Sequence, residues 1–345
     1  MQTHFGKSAA GLLTCLLALA MACSACSTGS GGTTDAAPQR TGGSASEPPS
    51  GTGSPGTSYA PYISATEAAG TDSAGSPAVY NLAFVVSDGS GCTPEWDGAT
   101  PLSDSAVRSR IRKLTQDGAG VRVSFGGASG KELAASCDSA AELAAAYGKA
   151  LDAAGSSRAD FDIEGDELTD ADSVDLRSEA IALLQEERDD LEVSFTLPVM
   201  PSGLDADAVA LLESANRHDV QVATVNIMTM NYSESHDGDM GDYALASAEA
   251  THRQLKKIFG TSDATAWKAM ALTSMLGVND VDNETFSLDD AAQVREFAEA
   301  KGIGWVSMWA TFRDRQCRDD AHDDALTDCS GVEQADGAFA EALSG

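Results

Sequence analysis

Basic residues are scarce: 22 Lys and Arg stand against 53 Asp and Glu, a formal net charge of −31 over 345 residues. A field of that sign repels nucleic acid and anionic lipid headgroups and suits an uncharged partner better. Much of the excess is also what keeps an exported protein soluble. Beyond the first two dozen residues no apolar run is long enough to read as a bilayer-spanning helix. There is no phosphate-binding glycine turn after the first candidate strand, which weighs against an open doubly wound sheet. The stretch GGASGK has the wrong spacing for a phosphate loop and lacks Ser or Thr after Lys131. The histidines His4, His218, His236, His252 and His322 form no ligand-spaced pair, and RDDAHDDALTD reads as a solvated acidic loop. Neither a metal nor a cofactor is expected.

At the N-terminus Lys7 precedes an apolar run from about Ala9 to Ala22, the pattern of an export signal over residues 1–25. The Ser-Ala pair before Cys26 resembles the bacterial lipobox, in which the cysteine carries the lipid; Cys23 is the competing position. Cleavage before Cys26 leaves Cys92, Cys137, Cys317 and Cys329, which can pair completely, whereas cleavage before Cys23 strands Cys26 as an odd thiol. Residues 26–58 are rich in Gly, Ser, Thr and Pro and too poor in apolar residues to fold. As a flexible tether they would hold the rest roughly 30 Å from an anchor. The expected location is the outer face of a bacterial cell membrane, held through the lipid alone, with plain secretion as the alternative.

From residue 59 to 345, short apolar runs alternate with longer amphipathic stretches. Eight runs read as strands: APYIS, YNLAFVV, GVRVSFGG, ADFDIEG, LEVSFTLPV, VATVNIMTMNY, AWKAMALTSML and IGWVSMWAT. Between them lie helical stretches such as ELAASCDSAAELAAAYGKALDAAG and VDLRSEAIALLQEERDD. Eight strands interleaved with helices predict an α/β fold of the (β/α)8 TIM-barrel type, a single catalytic domain acting as a monomer.

In ADFDIEG the side chains alternate, so Asp160, Asp162 and Glu164 share one face while Phe161 and Ile163 share the other. In a barrel the acids point inward. Three crowded carboxylates cannot all ionise freely, so at least one must titrate high and a proton must be shared, which supplies a general acid near neutral pH.

This segment resembles the D-x-x-D-x-D-x-E signature of the family-18 glycoside hydrolases, with Ser157 in the place of the first Asp. Ser124, Phe125, Gly126 and Gly127 match that family's S-x-G-G one βα unit upstream. IMTMNY resembles its M-x-Y-D element: Met228 matches the Met, Met230 stands for the Tyr, Asn231 for the Asp, and Tyr232 follows one place later. Trp309 matches the tryptophan on the last strand that floors the sugar pocket, and Trp96 in GCTPEWDG is a candidate to extend the cleft. The resemblance implies a retaining, substrate-assisted mechanism without a metal. Glu164 would protonate the glycosidic oxygen while the substrate's 2-acetamido carbonyl attacks the anomeric carbon. Asp162 would hold the acetamido N–H, and Asp160 would share a proton with Asp162.

The implied partner is an N-acetylglucosamine-containing polysaccharide, cleaved internally as by a chitinase. A peptidoglycan- or N-glycan-directed enzyme of the same fold is the alternative, and a non-catalytic chitin-binding protein is a third. Four cysteines allow three pairings; Cys92–Cys137 and Cys317–Cys329 would stiffen the rim of the catalytic face.

Overall fold

A computed structural model describes residues 56–318 and 327–345. The signal segment, Cys23, Cys26, His4, most of the tether, and His322 with its acidic neighbours lie outside the described residues.

Eight parallel strands form the ring. β1 is a single extended segment interrupted at Ala60–Pro61, with pieces Ser58–Tyr59 and Tyr62–Ser64. It is followed by β2 (Val79–Ser87), β3 (Gly120–Gly126), β4 (Arg158–Asp162), β5 (Glu192–Pro198), β6 (Val222–Met228), β7 (Met270–Met275) and β8 (Trp305–Trp309). Each strand from β2 to β8 pairs in parallel with the next. β1 closes the ring with its two halves: Ser58–Tyr59 pairs with Trp305–Val306 of β8, and Tyr62–Ser64 pairs with Asn81–Ala83 of β2. The result is a (β/α)8 barrel, in which the C-terminal ends of the strands form the catalytic face.

The alternation predicted for ADFDIEG is visible in the packing. On the outer surface Phe125, Phe161 and Phe195 lie side by side in register, with ring centroids 5.3 and 5.7 Å apart. Tyr147 of the covering helix α2 (Ala140–Ala154) meets the first two edge-on. This aromatic layer fixes which way β4 faces, because a slip of one residue would bury its acids against α2. Asp160 and Asp162 therefore point into the barrel.

Part of the acidic excess serves the helices. Aspartates cap the N-termini of α1 (Ser105–Thr115, Asp104), α4 (Ala171–Glu187, Asp170), α5 (Ala206–Arg217, Asp205) and α6 (Met240–Phe259, Asp239). Each accepts a backbone N–H that would otherwise lack a partner, and its charge complements the helix dipole. The short α3 (Gly165–Thr169) lies between β4 and α4.

All eight predicted strands are present, with altered limits. The first residues of AWKAMALTSML belong to α7 (Asp263–Lys268), because Ser262 accepts from Thr265 N and starts a helix there. VATVNIMTMNY leaves the sheet after Met228, and Asn231 turns the chain at φ 53°. The helical reading of residues 132–155 is split. A short 3-10 turn at Leu133–Ala135 gives way to Cys137, and Ser139 then caps α2. Two further helices, α8 (Leu288–Lys301) and α9 (Ala338–Ser344), complete the outer layer. Both disulfides form as expected, Cys92–Cys137 between the loops after β2 and β3 and Cys317–Cys329 after β8.

Candidate active site

Asp160 is fully buried midway along the barrel interior. Its Oδ2 accepts from Tyr62 Oη at 2.8 Å and Ser124 Oγ at 2.6 Å, and its Oδ1 accepts from Ser194 Oγ and Thr196 Oγ1, each at 2.8 Å. Four hydroxyl donors from three strands, β1, β3 and β5, suit the charged, acceptor-only form of a carboxyl group. Burial, with the negative field of Asp160 and Asp162, holds the Tyr62 phenol well above its usual range, so Tyr62 remains a donor. Asn226 extends the network, donating to Thr196 at 2.9 Å and accepting from Thr273 at 2.9 Å.

One layer higher, Asp162 and Glu164 line the same cavity, close enough for each carboxyl group to shift the titration of the other. Burial, then the nearby Glu164 and Asp160, push Asp162 well above the carboxylate range. Burial also lifts Glu164 to about 7, against the lowering pull of Asp162, while Asp280 and Glu167 add repulsion. The pair therefore keeps a proton at neutral pH, the requirement for a general acid. Asp162 Oδ1 is buried with no hydrogen-bond partner in the protein. An acceptor left open beside the proton-sharing pair marks where a ligand N–H or O–H would be received.

A cavity of about 300 Å³ opens above this pair. Trp309 and Phe84 stack with centroids 5.4 Å apart, and Tyr62 and Phe312 meet Trp309 edge-on. Methionines 200, 228, 230 and 275 line the cavity with Asn231 and Asp280. An apolar, aromatic wall beside a carboxyl pair suits the alternating C–H and polar faces of a sugar ring. Among the described residues no group of three His, Cys, Asp or Glu side chains is placed to hold a metal ion.

Several sequence-predicted residues serve the site indirectly. Ser124 is fully buried and reaches only Asp160. Gly126 and Gly127 have φ values of 98° and 89°. Gly127 N donates to Asp162 O at 2.9 Å and Gly126 pairs with Asp162 in the sheet, so both glycines pack against the end of β4, and neither lines the cavity. Trp96 does not extend the cleft: it lies on a short strand paired with Val85 and is completely buried. Tyr232 does not replace the tyrosine of the M-x-Y-D element, because the turn at Asn231 directs it away from the cavity. It is 5% exposed among Ser247, His236 and Tyr243, and its Oη accepts from Ser247. Ser157 lies seven residues before Glu164, a distance of about 23 Å along an extended chain, and is remote from the acid. Sequence reasoning missed Tyr62, Phe84, Thr196 and Asp280. Tyr62 had the signal of an inward position on a barrel strand, but Asp280 lies in a loop with no periodicity.

No protein-family model matches the chain. It is 35% identical over 275 residues to the probable bifunctional chitinase/lysozyme of Escherichia coli K12, covering 74% of this chain and 31% of that protein. It is 34% identical over 248 residues to endochitinase 11 of Metarhizium anisopliae, covering 68% and 47%. The chain thus spans less than half the length of either curated relative. Among solved structures, the catalytic domain of the hyperthermophilic chitinase from Pyrococcus furiosus superimposes with a TM-score of 0.74 at 31% identity, over 84% of this chain and 94% of that one. A GH18 chitinase from Pseudoalteromonas aurantia shares the fold at a TM-score of 0.52 and 15% identity, over 74% and 94%. The match spans nearly the whole Pyrococcus domain at 31% identity, and the chain belongs to the chitinase-like proteins of glycoside hydrolase family 18.

Proposed function

We propose that this protein hydrolyses β-1,4-linked N-acetylglucosamine polymers internally, with retention of configuration. The observation that carries this reading is the carboxyl pair Asp162–Glu164 lining the aromatic-walled cavity, with one Asp162 oxygen buried and without a partner in the protein. In the first step Glu164 gives its proton to the glycosidic oxygen, the C1–O bond breaks, and the 2-acetamido carbonyl oxygen bonds to C1. Asp162 accepts the acetamido N–H and offsets the positive charge of the resulting oxazolinium ring. In the second step Glu164 removes a proton from water, whose oxygen opens the ring at C1 from the original face. Asp160, held by its four donors, supplies a fixed negative charge beneath the pair.

The test is turnover of soluble chitin oligosaccharides by the purified protein and its Glu164→Gln variant, with the product anomer followed by NMR. Initial β product, abolished in the variant, is expected. Binding without turnover would exclude an enzyme, and α product would exclude retention. A peptidoglycan arm belongs in the same assay, since the Escherichia coli relative is described as a chitinase/lysozyme. The export segment and Cys26 support placement of the enzyme at the outer face of the bacterial cell membrane through a lipid. Fatty-acid labelling lost in Cys26→Ser, with release of active protein, is the expected outcome.

A further inference from the structure

Asn231 holds a left-handed backbone conformation, φ 53°, that places its side chain against the loop after β7. Its Oδ1 accepts from the backbone N–H groups of Asp280 at 3.0 Å and Val281 at 3.3 Å, while its Nδ2 donates to Asp280 Oδ2 at 3.2 Å. Only an amide can make this set, because the loop presents two donors and one anionic acceptor to the same side chain. Both residues line the cavity that contains Asp162 and Glu164. In IMTMNY the amide stands where the related element has an acid, and the geometry puts the acid on the facing loop.

Resting on the functional reading above, we infer that Asp280 is a positioning carboxylate of this cleft: Asn231 clamps it at the mouth so that its negative charge faces Glu164. An acid at 231 would face Asp280 as a like charge and would lose the donor that fixes it. The groups around Glu164 are Asp162 from its own segment, Glu167 from α3 and Asp280 from the loop after β7. Arg313, whose Nη2 donates to the carbonyls of Leu276 and Val278, lies beneath the same loop and feels the charge of Asp280. Asp205 lines the cavity from the loop after β5. Removing the charge at 280 takes away a repulsion that favours protonated Glu164. The alkaline limb of the pH–rate profile then moves to lower pH.

The experiment is a cycle of four full-length proteins assayed on a soluble chitin oligosaccharide across pH: wild type, Asp280→Asn, Asn231→Asp and the double variant. Each single change is expected to lower kcat/KM about tenfold, and the double variant, which exchanges acid and amide across the same contact, to return within about threefold of wild type. The alkaline limb is expected to move to lower pH in Asp280→Asn and to return in the double variant. An unmoved limb in Asp280→Asn overturns the proposal whatever happens to kcat/KM, and so does additivity of the two single changes. If the wild type itself fails to turn over, the functional reading falls separately. Coupling is then read from Tm over the same four proteins, where additivity again overturns the pairing.

Discussion

A β-carbon on Gly126 would come within 2.1 Å of the main-chain oxygen of Asp162. This contact, with the hydrogen bond from Gly127 N to the same oxygen, sets the height of the catalytic strand against β3. Gly126→Ala combines that clash with φ 98°, and it is expected to cost on the order of 2 kcal/mol in urea unfolding and most of the turnover. Gly155→Ala is the control. It replaces another left-handed glycine, at the end of α2, with nothing within 4 Å of the new carbon. Its cost should be about 1 kcal/mol with kcat unchanged.

The raised Glu164 gives a pH prediction with a definite sign. Its ordinary value is 4.5 and its folded value about 7, so between these limits the folded protein binds more protons than the unfolded chain. Stability therefore falls as pH rises through this window. Glu164→Gln removes that dependence, so the variant should gain in Tm relative to wild type between pH 5 and pH 8. In wild type the alkaline limb of kcat/KM should lie near pH 7, where the acid form of the pair is lost.

How far the site was legible follows from where each residue stands on its strand. Asp160, Asp162 and Glu164 declared themselves because period-two alternation separates them from Phe161 and Ile163. Trp309 declared itself at the end of the last strand. The same reasoning fails once a strand ends: Tyr232 lies one residue past a left-handed Asn231, and nothing in its spacing shows that the chain has turned. Trp96 was misread because a tryptophan in a polar loop looks exposed, yet the loop folds back on β2 and buries it. Asp280 is one of many acids in an acidic chain, and only the contact with Asn231 singles it out.

A buried ion pair between α4 and the segment after β3 gives a test of stability. Arg177 of α4 meets Glu132 at 2.8 Å, with side chains 1% and 2% exposed. Glu132 also accepts from Tyr147 at 2.6 Å and from Ala134 N. Arg177→Met leaves the Glu132 charge uncompensated and should cost about 3–5 kcal/mol in denaturant unfolding. The double variant Arg177→Met with Glu132→Gln should be milder, because no unpaired charge then remains buried. Equal losses in the two proteins would show that packing around the guanidinium matters more than its charge.

The aromatic floor separates binding from chemistry. Trp309 is held on three sides, stacked on Phe84 and met edge-on by Tyr62 and Phe312, so its face is fixed before any ligand arrives. A preset face costs little ordering entropy when a sugar stacks on it. Trp309→Ala removes the face but none of the hydrogen bonds to Asp160. The expected loss is about thirtyfold in kcat/KM, carried mainly by KM, with the pH limbs unmoved. Trp309→Phe keeps an aromatic face of smaller area and should fall between the two. A loss confined to kcat with a displaced alkaline limb would mean that the ring acts on the acid pair and not on the sugar.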